Sequence, residues 1–159
     1  MLNNISGNFL NVVLFEPEIP QNTGNIARLC ACTGAKLYLI GRLGFSMSEK
    51  YLKRSGLDYW DKVEIEHLNN FEELLDIAKG HNIYYFTTKA SRLYTDVEYK
   101  KGDFLMYGPE TRGLPEEIRD FGGENCVKLP MKEGLRSLNL SNSVAVGVYE
   151  VIRQISIIK

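Results

Sequence analysis

Short runs of β-branched and aromatic residues alternate with helix-patterned segments along nearly the whole chain, and that alternation leaves few architectures open. "FLNVVLF" (residues 9–15), "KLYLI" (36–40), "KVEIEH" (62–67), "NIYYFTT" (82–88), "DFLMYG" (103–108) and "NCVKLPM" (125–131) read as strands. Between them, "NTGNIARLCACTG" (22–34) reads as a helix closed by Gly34, and "SEKYLKRSG" (48–56) as a short helix capped by Ser48. "NNFEELLDIAKG" (69–80) is amphipathic with Asn70 as its cap, and "LPEEIRDFG" (114–122) is a further short helix. The chain ends in a long helical pattern (139–158) with an apolar stripe at Val144, Val148, Val151, Ile152 and Ile155. Strand and helix in turn predict an α/β fold: a mostly parallel sheet, buried on both faces by helices.

In such a sheet, ligands bind where strands end and loops begin. Three loops that follow strands carry more chemistry than a turn needs. The first, "EPEIPQNTGNIAR" (16–28), is held extended by Pro17 and Pro20, with Asn22 or Thr23 available to cap the next helix and Gly24 permitting close approach. Asn25 and Arg28, three apart, share a helical face near a helix N-terminus, an arrangement suited to an anion or a phosphate. A plain capped helix, with Arg28 paired to Glu16 or Glu18, fits the same residues.

The second loop, "YGPETRGLP" (107–115), crowds two glycines, two prolines, Glu110 and Arg112 into one strand-to-helix turn. Gly108 reads as bare backbone offered to a ligand, and Glu110 and Arg112 as a pair across the turn. No GxGxxG pattern marks a dinucleotide site. In the third, "LPMKEGLRSLNLSNS" (129–143), the apolar Leu129-Pro130-Met131 precedes Ser137, Asn139, Ser141 and Asn142. One of these caps a helix, but four polar groups beside an apolar strand end suit a flat heterocycle with a polar rim, such as adenine.

Composition narrows the setting. With 159 residues, 44% hydrophobic and 25% charged, the chain predicts a single domain spanning 1–159. A formal net charge of -1 means that a nucleic-acid partner needs a local patch, or one assembled across subunits. Cys30, Cys32 and Cys126 read as reduced core thiols; Cys30-Ala-Cys32 lacks the second ligand pair of a zinc site, so no metal is expected. Neither a signal peptide nor a run of ~20 apolar residues is visible, so the expected setting is the cytoplasm, with no membrane partner.

Taken together, "NTGNIARLC", "YGPETRGLP" and "LPM…RSLNLSNSVAV" resemble the three signature motifs of the SpoU branch of the SPOUT methyltransferases. The likeness is closest to the small tRNA (cytidine/uridine-34-2'-O)-methyltransferases of the TrmL (YibK-like) group, with Phe15 standing where that group usually has Tyr. "GLDYW" (56–60) and "FTTK" (86–89) also resemble family segments, so the likeness extends over almost the whole chain.

The resemblance implies an α/β fold whose C-terminal part is tied in a deep trefoil knot, a homodimer, and S-adenosylmethionine bound in bent form in the knot. It implies methyl transfer to the ribose 2'-hydroxyl of nucleotide 34 in a tRNA anticodon loop. Cofactor contacts are then expected from Phe86, Thr87, Tyr107, Gly108, Leu129, Met131, Ser137 and Leu138. Arg28, Asn25, Glu110 and Asn139 take the catalytic positions. Arg28, Lys50, Lys53, Arg54, Arg136, Ser141, Asn142 and Tyr149 are the residues assigned to RNA. The stripe on the last helix becomes partly a subunit interface. Two alternatives stay open: an inactive RNA-binding homologue, and an enzyme acting on another RNA such as rRNA. The few residues before the first strand favour tRNA, because rRNA enzymes of this branch often carry an additional N-terminal domain.

Overall fold

A computed structural model describes residues 7–46 and 60–157. Its centre is one seven-stranded, all-parallel sheet in the order β3-β2-β1-β6-β4-β7-β5. The strands are β1 (Leu10–Phe15), β2 (Lys36–Ile40), β3 (Ile65–Leu68), β4 (Ile83–Phe86), β5 (Arg92–Leu93), β6 (Asp103–Tyr107) and β7 (Cys126–Lys128). All six predicted strands are present. The seventh, β5, is two residues long, too short to leave a periodic signal.

Period-two alternation sorts the strand side chains onto two faces. Leu10, Val12 and Leu14 of β1, Leu37 and Leu39 of β2, Tyr84 and Phe86 of β4, and Leu105 and Tyr107 of β6 share one buried cluster. The helices α1 (Pro20–Thr33) and α4 (Leu140–Ile157) cover that face, through Ile26, Ala27 and Cys30 and through Val144, Val148, Val151 and Ile152. Val13, Tyr38, Ile40, Ile83, Tyr85, Phe104 and Met106 point the other way. They meet α2 (Phe71–Ile77) and α3 (Glu116–Gly122) through Leu74 and Ile118. At about 1.5–3 kcal/mol for each large apolar side chain fully withdrawn from water, these two clusters hold the layers together.

The helix ends follow from local chemistry, with one correction. Gly34 closes α1 in the left-handed region, its N–H bonded to the Cys30 carbonyl. Asn70 caps α2 by accepting from the Glu73 amide at 3.0 Å, while the Glu73 carboxylate accepts from the Asn69 amide at 2.9 Å. α1, however, begins at Pro20, two residues before the expected start, because a proline at the first helical position has its φ preset and no amide to satisfy. Asn22 and Thr23 therefore lie inside the first turn and do not cap it. The Thr23 hydroxyl is buried without a hydrogen-bond partner among the described residues, and Asn22 turns to another helix, as described below. The expected helix at 48–56 and the "GLDYW" segment before Trp60 lie outside the described residues.

A second correction concerns the stripe on α4. Val144, Val148 and Val151 are fully buried within the chain, against α1 and the sheet, and Ile152 is nearly so. These four residues of the stripe are intrachain core, and Ile155 is half-buried beside them. Among the described side chains of this helix, Val146 and Tyr149 are the large apolar ones that stand exposed.

Candidate functional site

Strand order builds the site. β1, β6, β4 and β7 lie side by side and parallel, so the loops that follow them leave from one edge of the sheet. Segments 16–19, 108–115, 87–91 and 129–139, far apart in sequence, become neighbours. Residues of the last three of these segments, together with the ends of β4 and β6 and the start of the last helix, enclose a cleft of about 400 Å³; segment 16–19 stands outside its lining.

Its floor is aromatic. Phe86 and Tyr107, paired across β4 and β6, stack with ring centroids 4.6 Å apart. Helix α4 closes behind them at Gly147, where an added Cβ would stand 2.2 Å from the Tyr107 Oη and 3.2 Å from the Phe86 ring. Burial holds the Tyr107 phenol well above its ordinary pKa, so it remains a neutral wall. Leu129, Met131, Leu138 and Leu140 add apolar lining, and Thr87, Ser137 and Ser143 bring hydroxyls to it. Every residue assigned to the cofactor from the sequence lines this one cleft, as do Glu110 and Arg136. Asn25, Arg28, Asn139, Ser141, Asn142 and Tyr149 are not among its lining residues, and all of these except Ser141 are exposed outside it. Lys50, Lys53 and Arg54 lie outside the described residues.

Gly108 has a different reason for being glycine than the sequence suggested. A Cβ there would stand 2.2 Å from the Leu114 amide nitrogen and 2.3 Å from the Gly113 carbonyl carbon. Its own loop folds back across it, with Gly113 at φ 69° and its N–H bonded to the Pro109 carbonyl. The glycine is required by the turn.

The charges are also wired differently from the expected Glu110–Arg112 pair. Arg112 reaches Glu16, at a long 3.9 Å. Glu110 instead accepts from the backbone amides of Glu18, at 3.1 Å, and Ile19, at 2.5 Å. In return, Glu18 accepts from the Thr111 amide at 3.1 Å and the Thr111 hydroxyl at 2.7 Å. Each loop lends a carboxylate to the other's backbone. Burial pushes the Glu110 carboxyl up from its ordinary range, whereas the Thr111 hydrogen bonds lower that of Glu18. Glu18 was read from the sequence only as a possible partner of Arg28; its pairing with Thr111 left no local signal because the two lie 93 positions apart.

Asn139 joins the remaining loop. Its side-chain oxygen accepts from the Asn142 amide at 3.2 Å, capping α4, and from the Ser141 hydroxyl at 2.6 Å. Its side-chain nitrogen donates to the Asn22 oxygen at 3.1 Å, tying the N-termini of α4 and α1 together. The helix that carries Asn25 and Arg28 is thus fixed at its start to both other site loops. Among the described residues no group of His, Cys, Asp or Glu could hold a metal ion, and no helix is long and apolar enough to cross a membrane.

The profile of the SpoU rRNA Methylase family matches residues 9–149. A tRNA (cytidine(34)-2'-O)-methyltransferase of Methylovorus glucosotrophus is 50% identical over 145 residues, covering 91% of this chain and 94% of that protein. A structure solved to explain the 2-OH methylation of C/U34 on tRNA has a TM-score of 0.86 at 41% identity, covering 92% of this chain and 96% of its own. The SpoU methyltransferase AviRb from Streptomyces viridochromogenes, solved with the cofactor AdoMet (S-adenosylmethionine), shares the fold. Its TM-score is 0.81 at 22% identity, covering 96% of this chain and 60% of that one.

Proposed function

Because the chain belongs to the SpoU methylase family, we propose that it methylates the ribose 2'-hydroxyl of the wobble nucleotide, cytidine or uridine 34, in the tRNA anticodon loop. It is an S-adenosylmethionine-dependent tRNA 2'-O-methyltransferase. The observation that carries this reading is 50% identity to a tRNA (cytidine(34)-2'-O)-methyltransferase across nearly the full length of both chains.

The cleft suits the cofactor. A flat stacked aromatic pair, an apolar lining and hydroxyls from Thr87 and Ser137, in about 400 Å³, match a nucleoside with a polar edge. When bound there, S-adenosylmethionine supplies an activated methyl group. Phe86, Tyr107, Leu129, Met131 and Leu138 would enclose the base, and Thr87, Gly108 and Ser137 its polar rim.

On the RNA side, Arg28 and Asn25 hold the nucleotide. An arginine stays protonated at any working pH, so Arg28 clamps the adjoining phosphate and stabilises the negative charge that develops on the 2'-oxygen. The oxygens of Glu110 are engaged by the Glu18 and Ile19 amides, so Glu110 positions the loop, and the hydroxyl proton passes to water or to a phosphate oxygen. Asn139 sets the start of α4 against α1. Ser141, Asn142, Tyr149, Arg136 and the cations Lys50, Lys53 and Arg54 complete the RNA contacts. Orientation of the 2'-hydroxyl against the cofactor supplies much of the rate.

The proposal includes a cytoplasmic homodimer and a deep trefoil knot in the C-terminal part of the chain. In support of the knot, β6 enters between β1 and β4, and β7 between β4 and β5, after both neighbours in each case have been laid down. The deciding experiment incubates the protein with methyl-labelled cofactor and tRNA from a strain lacking the modification, then maps the product. Label on the 2'-oxygen of nucleotide 34 is expected. Label elsewhere, or on rRNA alone, overturns the assignment.

A further inference from the structure

The exchanged carboxylates between the first two site loops do more than close a turn. Glu18 is held from three sides. Its amide donates to Glu110, and its carboxylate accepts twice from Thr111. Gly44 packs against its backbone so tightly that a Cβ there would stand 2.7 Å from the Glu18 Cα and carbonyl oxygen, and the Gly44 N–H bonds the preceding Pro17 carbonyl at 2.9 Å. Thr111 sits in the segment 107–114 that walls the cofactor cleft, whereas Glu18 is two residues before α1, the helix of Asn25 and Arg28.

We infer that Glu18 is a positioning residue: through Thr111 it fixes the cofactor-side loop to the start of the substrate-side helix, so that the two halves of the site share one geometry. This rests on the methyltransferase reading above. A carboxylate suits the place because both Thr111 groups are donors and an ionised carboxylate is acceptor-only. Threonine suits position 111 because its amide and hydroxyl reach one acceptor together. Glu18 touches neither the base nor the methyl group in this scheme. Its effect is read through the loop it holds.

The test measures cofactor affinity by titration calorimetry at 25 °C, alongside thermal melting, for Glu18→Ala, Thr111→Val, the double variant and Thr111→Ser. Glu117→Gln, an exposed residue of α3, serves as a control. Each of the first two should weaken S-adenosylmethionine binding about tenfold, the factor that ~1.4 kcal/mol represents. The double variant should be no worse than the poorer single, since both remove one interaction. Thr111→Ser, which keeps the hydroxyl, should return to within about twofold of the unsubstituted protein. A purely structural role would lower the melting temperature and leave affinity at 25 °C unchanged. That result, or losses that multiply in the double variant, overturns the inference. Binding by the unsubstituted protein with unchanged variants removes the brace alone; no binding by the unsubstituted protein removes the methyltransferase reading with it.

Discussion

At Gly147 the space normally held by a methyl group belongs to the Tyr107 hydroxyl, 2.2 Å from where a Cβ would be. Gly147→Ala should therefore destabilise the protein by about 1–3 kcal/mol, the usual cost of overpacking. The closest atom by 1 Å is that oxygen, so adding Tyr107→Phe should recover part of the loss in a urea titration; no recovery would place the strain on the Phe86 ring or the helix backbone. Arg28 gives a prediction of another kind. Arg28→Lys keeps the charge but not the planar fork, and should lower kcat at least about tenfold with cofactor affinity unchanged. Turnover near that of the unsubstituted enzyme would refute the clamp. Acid titration separates the two braced carboxyls. Glu110, raised by burial, binds its proton more tightly when folded, so acidification through its pKa costs no stability from that group. Glu18 is lowered from 4.5 by Thr111, so its contribution is present above that value and lost as pH falls through the lower folded pKa. The melting-temperature deficit of Glu18→Gln should accordingly be full at pH 6–7 and shrink below about pH 4. A deficit independent of pH would mean that ionisation of Glu18 plays no part.

Two asparagine caps show how the same local chemistry serves different ends at the level of elements. Asn70 caps α2 on the face of the sheet away from the site, and Asn139 caps α4 beside it. Replacing either by Ala should cost about 1 kcal/mol in stability. Only Asn139→Ala should also lower methyl-transfer kcat, because it releases Asn22 and with it the seat of α1; equal kcat losses in the two variants would count against the linkage. Asn70 was legible as a cap because its partner, Glu73, lies three residues on. The Asn22–Asn139 bond was not, since it spans 117 residues and depends on α4 crossing the face that α1 covers. Strands behaved alike: six announced themselves by composition, whereas β5 drew its pairing from β7 and offered two residues of pattern. The apolar stripe on α4 was plain in the sequence, but periodicity states only that a face is covered. Contacts with Ile26, Ala27 and Cys30 identify the cover as the chain itself. For the cleft, motif residues were recognisable singly, while their convergence required β4 to lie between β6 and β7, an ordering that local pattern does not encode.

Across the whole molecule, charge sets how RNA is met. A net charge of -1 provides no general attraction for a polyanion, so affinity must come from where the cations stand. Lys89, Arg112, Arg119 and Arg136 all line the cleft, and Arg28 is exposed on the helix braced to it, which sets positive charge beside the proposed methyl-transfer position. Phosphates bound by such residues release counterions, so the apparent affinity for tRNA should fall linearly on a log–log plot against salt, by about 0.7 per single-stranded contact. Arg136→Gln tests one contact. If Arg136 meets a phosphate, the variant should bind every substrate tRNA more weakly, with a slope shallower by up to about one. Its affinity for S-adenosylmethionine should meanwhile change little, since the proposed enclosure of the cofactor rests on the apolar lining and hydroxyl rim. A reduced affinity with an unchanged slope would show that Arg136 contacts RNA other than through a phosphate. A loss of cofactor binding instead would move Arg136 from the RNA side of the cleft to the cofactor side, and the division of the site between the two substrates would have to be redrawn around it.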